Sequence, residues 1–426
     1  MLTVRVHLCD ESRIQRTTPF FLKILDEEWS RIQHLEIWIS ENGYFHDDRW
    51  LSIQRPMDNL RSISLRFPKR QAPKALRSTT NVLFSGHAPS LRSVTIRHID
   101  FQLPTPWLSQ LSQLRLAGRF APDILMKSLS AMPLLEMLEI SNSHSTSNPY
   151  PQWPKIILPR LKCLKARGLL RASLMLLDHI IPPPGCGLDF SSHIFVADQD
   201  LDLSPALRVL SRYCEGHFKT YNPGSIQLFL GQTSFGFRIP HNFELDIPPF
   251  DVRIQNMSGF SRISVLFDPF LDCPLSGVTS IFFAAHDGLT FLPSDPKFSK
   301  FISLLSSVRS MQTTLKGLDY LSQIPTERSV AFFPSLQHVV PVHIHSESVA
   351  QVTNFLLCLK SVGGLIQHLD IGLQCNLERH GVSLSPLEQF SGLRVHWASF
   401  SGKKLEYICG SGTPERLDFV DSYPTP

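Results

Sequence analysis

Cationic side chains recur in this chain in a fixed relation to apolar ones. Arg66, Arg97, Arg115, Lys165 and Arg167 each fall between, or just after, two apolar residues spaced two apart, as in Leu114-Arg-Leu116 and Ile96-Arg97. Glu36, Trp38, Ser64, Thr95 and Glu139 occupy the same kind of position. In a strand, successive side chains point to opposite faces, so these ten residues project together from one side of a sheet while their apolar neighbours point to the other. The chemistry this offers is recognition. Guanidinium and ammonium groups make charge-assisted hydrogen bonds to carboxylates and phosphates, and an exposed tryptophan is an apolar anchor. Trp38, Arg66, Arg97, Arg115, Glu139, Lys165 and Arg167 therefore read as the contact set for a protein partner that is acidic or phosphorylated. The competing reading is that long cations keep an exposed sheet soluble.

Catalytic patterns are missing. No Gly-x-Ser-x-Gly elbow, Walker loop, His-Glu-x-x-His or strand-following Gly-x-Gly-x-x-Gly occurs, and Gly185-Cys-Gly187 follows three prolines rather than opening a helix. No catalytic residue, cofactor site or metal site is expected. A hydrolase whose triad is assembled from distant positions is the alternative of a different class. His343 and His345 share a strand face but have no third ligand at suitable spacing, so they read as surface histidines. Lys69-Arg70 with Lys74 and Arg77 reads as a solvated basic loop, and the adjacent pairs Asp47-Asp48 and Glu27-Glu28 point to different sides rather than sharing a proton.

Composition narrows the setting. A hydrophobic fraction of 42% against 18% charged residues places the chain among folded proteins rather than disordered ones. A net charge of +4 over 426 residues is too thin to argue for nucleic acid. Eight scattered cysteines without a Cys-x-x-Cys pair suggest reduced thiols, hence a cytoplasmic or nuclear protein. The first residues alternate apolar with polar and lack the apolar core of a secretory signal. No apolar run reaches the ~18 residues a membrane span needs, so no membrane partner is expected.

The elements that must position the outward residues are announced by a repeated cassette, Leu-x-x-Leu-x-Ile or a variant. It occurs as Ile32-x-x-Leu35-x-Ile37, Leu60-x-x-Ile63-x-Leu65, Leu91-x-x-Val94-x-Ile96, Leu111-x-x-Leu114-x-Leu116, Leu135-x-x-Leu138-x-Ile140 and Leu161-x-x-Leu164-x-Ala166. A recurrence every ~20–30 residues is the period of a leucine-rich repeat, whose units must stack to bury their apolar edge. Several cassettes follow a proline two residues upstream (Pro89, Pro133, Pro159, Pro334), which suits the start of a strand. Between cassettes, helical spacing predicts helices over 123–132, 172–181, 298–308 and 346–362, the last stopped by Gly363-Gly364.

The expected fold is thus an α/β, leucine-rich-repeat-like solenoid with irregular repeats, a curved sheet with helices on its convex side. The expected organisation is an N-terminal repeat block (1–181), an irregular junction with one helix at 204–218 (182–224), a C-terminal repeat block (225–409) and a polar, frayed tail (410–426). Looser cassettes in the second block are Phe260-x-x-Ile263-x-Val265, Val278-x-x-Ile281-x-Phe283, Ile366-x-x-Leu369-x-Ile371 and Phe390-x-x-Leu393-x-Val395, following strands near 226–230 and 235–239.

The stretch Leu158-Pro-Arg-Leu-Lys-Cys-Leu-Lys, then Ser173-Leu-Met-Leu-Leu-Asp-His-Ile-Ile-Pro and Gly185-Cys-Gly-Leu, resembles the C-terminal degenerate repeat region of fungal F-box proteins. Phe332-Phe-Pro-Ser-Leu-Gln-His-Val is similar to that family's later strand starts. The resemblance runs to about position 400 on soft motifs, and it implies substrate recognition for a ubiquitin ligase. Two departures accompany it. The F-box has no counterpart, with no Leu-Pro-x-Glu opening and no Cys-x-x-Trp helix ahead of the first cassette, so binding of the ligase adaptor requires an F-box from other sequence. The Asn or Cys expected eight residues after each first leucine is replaced by Ser40, Pro68, Ile99, Arg119, Ser143 and Leu169. The alternative is an F-box-less scaffold or adaptor with no ligase role.

Overall fold

The computed structural model describes residues 2–8, 11–39, 48–68, 72–73, 76, 82–99, 101–103, 105–118, 120–142, 153–194, 202–240, 247–257, 263–286, 288–289, 293–324, 332–342, 344, 348–373, 377, 381–399 and 401–419. The chain divides into an N-terminal unit, Met1–Ile194, and a C-terminal unit, Phe195–Pro426.

In the N-terminal unit the cassettes become strands. Their order is β1 (Leu2–Leu8), helix α1 (Glu11–Glu27), β2 (Ile32–Ile39), β3 (Ser62–Arg66), β4 (Ser93–Arg97), β5 (Gln113–Ala117), helix α2 (Pro122–Leu129), β6 (Met137–Asn142), the short β7 (Ile156–Ile157), β8 (Cys163–Leu169), helix α3 (Leu170–His179), the short β9 (Ile180–Ile181) and β10 (Gly187–His193). Strands β1 to β6, β8 and β10 lie side by side in chain order, each parallel to the next. Strands β7 and β9 form a separate parallel pair.

The cassette explains this order. Its second and third apolar residues, Leu35 and Ile37 through Leu164 and Ala166, stand in register across the sheet and are buried, as is each leading residue. A fully buried leucine contributes about 1.5–3 kcal/mol, and the gain requires a neighbouring repeat on each side. The backbone binds repeat to repeat just ahead of the strands: the amide of Arg92 donates to the carbonyl of Arg61, Ser112 to Arg92, Glu136 to Ser112, Lys162 to Glu136 and Gly187 to Lys162, at 2.8–2.9 Å. This ladder needs no asparagine. Between the strands the connections vary, with a left-handed turn at Leu83–Gly86, where Phe84 and Ser85 have φ of 59° and 48°, a 3-10 turn at Pro106–Gln110 and α-helices at α2 and α3.

The C-terminal unit runs helix α4 (Ser204–Phe218), β11 (Ser225–Gly231), β12 (Ser234–Ile239), β13 (Phe250–Gln255), β14 (Ser280–Ala285), helix α5 (Pro296–Ser303), β15 (Ser310–Thr314), helix α6 (Leu315–Ser322), β16 (His338–Val342), helix α7 (Val349–Ser361), β17 (His368–Leu373), β18 (Val382–Ser383), β19 (Arg394–Ala398), β20 (Lys404–Ile408) and β21 (Asp418–Phe419). Strands β11, β12 and β13 form an antiparallel meander; β14 to β17 and β19 extend it in parallel from β11, and β20 closes it antiparallel. Both units are therefore mixed α/β, each built on a mostly parallel sheet in the first and a mixed one in the second.

The helices follow their end signals. Pro122, Pro205 and Pro296 stand in the first turns of α2, α4 and α5, where a missing N–H costs nothing. Helix α7 ends in paired bonds from Gly364 N to Leu359 O and from Gly363 N to Lys360 O, with Gly363 at φ +83°, a conformation that favours glycine.

Several expectations change. Gly187–His193, placed in the junction by the sequence, is the eighth strand of the N-terminal sheet, whereas Ser204–Phe218 belongs to the C-terminal unit. The described part of the cassette at 260–265, from Ile263 on, is not a strand. It starts a 3-10 segment, Ile263–Phe270, because apolar residues at 263, 266, 267 and 270 follow a helical period rather than alternation. Residues 410–419 are not a frayed tail: Leu417 and Phe419 are buried and β21 pairs with β18.

Candidate functional site

Alternation along the N-terminal strands leaves every second side chain on the face opposite the leucines. Register then sorts those side chains into three rows across the sheet, two of which hold the acidic, lysine and arginine side chains. One row is Arg5, Glu36, Ser64, Thr95, Arg115, Glu139, Lys165 and Asp189; the other is His7, Trp38, Arg66, Arg97, Ala117, Ser141, Arg167 and Ser191. All seven residues singled out from the sequence lie in these rows.

They do not form a bare cationic stripe. Glu139 is nearly buried, its side chain 9% exposed, with Arg97 Nη2 at 3.6 Å and Arg115 Nε at 3.8 Å. Asp189, 10% exposed, accepts from Arg167 Nη2 at 3.0 Å and lies 3.7 Å from Lys165 Nζ. Each carboxylate thus sits beneath two cations and holds their heads in place, while each trio keeps one positive charge. Arg115 also reaches Met137 Sδ at 3.2 Å.

At the β1 side of the rows, Glu36 lies 3.7 Å from Arg5 and 3.8 Å from His7. Trp38 is 41% exposed, edge-on to the His7 ring at 5.4 Å and under the Arg66 guanidinium at 5.7 Å. Among the described residues Arg66 has no carboxylate within ion-pair reach, and its Nε and the neighbouring Ser64 Oγ are buried without a hydrogen-bond partner. Across the described part of the two rows, six cations (Arg5, Arg66, Arg97, Arg115, Lys165, Arg167) face three carboxylates (Glu36, Glu139, Asp189), a surplus of +3 with histidine neutral. Charge of this kind, fixed on rigid strands, suits carboxylate or phosphate capture without reorganisation.

Cys163 stands at the edge of this face. Burial pushes its thiol up to about 11 against the downward pull of Lys165, with Asp189 and Glu139 adding to the rise. It is a protonated packing residue at neutral pH rather than a nucleophile.

Three contributors escaped the sequence. Asp189 lies in the stretch assigned to the junction, although the alternation Leu188-Asp-Phe190 is a strand signal. Arg5 and His7 lie on β1, whose alternation is plain but which carries no cassette. In the C-terminal unit, Asp251 on β13 repeats the buried-carboxylate arrangement, bound by Arg238 Nη2 at 2.9 Å and by Arg253 Nη2 at 2.7 Å. Glu27 and Glu28 each face a cation of their own, Lys23 at 3.8 Å and Arg31 at 2.7 Å. His343, His345, Lys69, Arg70, Lys74, Arg77 and Asp47 lie outside the described residues, as does the Asp48 side chain. Among the described residues no group of three or more His, Cys, Asp or Glu is arranged to hold a metal ion, and no helix is long and apolar enough to cross a membrane.

Among solved structures, the leucine-rich repeat-containing protein LegL7 from Legionella pneumophila is similar to this chain over 86% of its length and 91% of that protein's, at 12% identity and a TM-score of 0.31. No family model and no curated protein matches the sequence.

Proposed function

We propose that the chain is a non-catalytic protein-binding module and that the outer face of the N-terminal sheet docks an acidic or phosphorylated protein segment. The observation that carries this reading is the surplus of cations held in two ordered rows, anchored by the buried Glu139 and Asp189 and including the exposed Trp38. Carboxylates that position arginines without cancelling them leave directed donors for a second acidic group. The resemblance to the fungal F-box repeat region extends the reading to substrate recognition for a ubiquitin ligase, with the adaptor bound through an F-box from other sequence.

Arg66 is the residue on which to test it. Reversing Arg97, Arg115 or Arg167 would set a new carboxylate against buried Glu139 or Asp189 and confound binding with folding. Arg66→Glu reverses a cation that holds no carboxylate among the described residues. A synthetic peptide rich in glutamate and phosphoserine should bind the wild type more tightly than R66E by tenfold or more at low salt, with unchanged melting of the chain. Equal affinity for the two proteins would reject the docking face. Affinity purification of both proteins followed by mass spectrometry then asks whether the ligase adaptor co-purifies.

A further inference from the structure

The outer face of the C-terminal sheet carries a cluster that the docking face does not use. His338 on β16 and His368 on β17 are register neighbours, and His396 on β19 stands opposite Asp370 of β17. His368 Nδ1 lies 2.9 Å from His396 Nε2, the two rings stacked at 5.2 Å with 24° between their planes. The His338 ring meets His368 edge-on at 6.3 Å, and its Nδ1 is 3.3 Å from Ser310 Oγ on β15. All three histidines are half-buried.

The other groups facing the cluster are few among the described residues. Asp370, whose carboxylate accepts from Gly372 N at 3.1 Å, stands opposite His396 in register. On β20, Glu406 is the register partner of His396 and pairs with Arg394 of β19 at 3.2 Å, so these two bring no net charge, while Lys404 stands opposite Ala398. Strand β15 offers Ser310 and Gln312, and β16 offers Val340 beside His338.

A hydrogen bond between two imidazole nitrogens has one donor and one acceptor. A neutral pair satisfies it, and a singly protonated pair satisfies it with charge assistance. A doubly protonated pair cannot, since both nitrogens then carry hydrogen and both rings are cations. His338 is likewise disfavoured as a cation, first by burial, against the opposing pull of Asp370, with smaller contributions from the charges of His368 and His396.

We propose that His338, His368 and His396 form a proton-sensitive latch joining β16, β17 and β19, closed at neutral pH and opened by acidification. The latch is independent of the docking reading, since it lies on a different unit and different strands. Its sign follows from linkage. Histidines in the opened chain titrate near the ordinary ~6.5, while in the closed latch burial disfavours the charged His338 and the imidazole–imidazole bond leaves no place for a proton on both bonded nitrogens. Stability of these strands is therefore full above about pH 6.5 and falls as pH drops below it, about tenfold in the opening constant per pH unit for each excluded proton.

Hydrogen exchange of the full chain, read by mass spectrometry at pH 7.5, 6.5 and 5.5, tests this. Protection factors in 338–342, 368–373 and 394–398 should fall between pH 6.5 and 5.5 by tenfold to a hundredfold more than those in 62–66 and 93–97 of the N-terminal unit. His338→Gln and His396→Gln, made singly, should each remove about tenfold of that excess, because the amide never charges. Equal pH dependence in wild type and both variants, or cluster strands that track the reference strands, would overturn the proposal. Should either variant fail to fold, histidine-selective NMR of the wild type decides: His338 should titrate below a free histidine and the His368–His396 bond should be lost on acidification, whereas an unshifted His338 or a bond intact at pH 5.5 refutes the latch.

Discussion

Glu139 and Asp189 carry a prediction that separates net charge from geometry on the docking face. Replacing both with their amides, Glu139→Gln with Asp189→Asn, keeps shape and removes two negative charges. At an effective dielectric of about 20, a unit charge pair at the 3.6–3.8 Å found for Glu139 is worth about 4 kcal/mol before offsets. The offsets are large. The carboxylate was desolvated to reach its site, and Arg97 and Arg115, with side chains 42% and 36% exposed, are rescreened by water once it is gone. The amide still offers polar atoms to its neighbours. We expect a net loss of about 1–2 kcal/mol per site. Glu139 and Asp189 are separated by one intervening strand, β8, hence about 10 Å apart, so the double variant should lose about 2–4 kcal/mol, close to additively. Denaturant titration with an unchanged slope measures this. The same variant raises the surplus charge of the two rows from +3 to +5, so it should bind a glutamate- and phosphoserine-rich peptide about tenfold more tightly at 50 mM salt, with the gain vanishing near 1 M, where the screening length is about 3 Å. Weaker peptide binding, or an unchanged unfolding midpoint, would refute the reasoning.

Leu114→Ala on β5, fully buried between register partners Val94 and Leu138, should cost about 2–5 kcal/mol by denaturant titration; a loss under 1 kcal/mol would mean that the repeats do not share one packed core there. With its thiol raised to about 11, Cys163 should be alkylated by iodoacetamide at pH 8 at least about a hundredfold more slowly in the native chain than in guanidinium, by peptide mapping. Equal rates would show that the edge of the docking face is open to solvent.

The cassette made much of the N-terminal fold legible because its signal is local. Leu138 and Ile140 sit two apart, so one must face inward with the other, and Glu139 between them must face outward, whatever the rest of the chain does. Proline and glycine placed helix ends for the same reason, as the Gly363-Gly364 stop of α7 shows. Local alternation failed where apolar residues fit two periods. The run from Ile263 to Phe270 contains both, and packing among Phe235, Phe267, Phe270 and Phe301 accompanies the helical one.

What the amino-acid order determined by itself is which residues turn outward and that cations outnumber carboxylates among them, since both follow from period two and composition. Tertiary structure decided how those residues meet. Arg97 and Arg115 are 18 residues apart in sequence and Glu139 is further still, yet strand register sets all three within ion-pair reach. His368 and His396, 28 residues apart, come to 2.9 Å by the same means. Pairing between strands depends on how long each connection is and how it folds back, a property of no single segment, and so the trios and the histidine latch become visible only when the sheets are assembled.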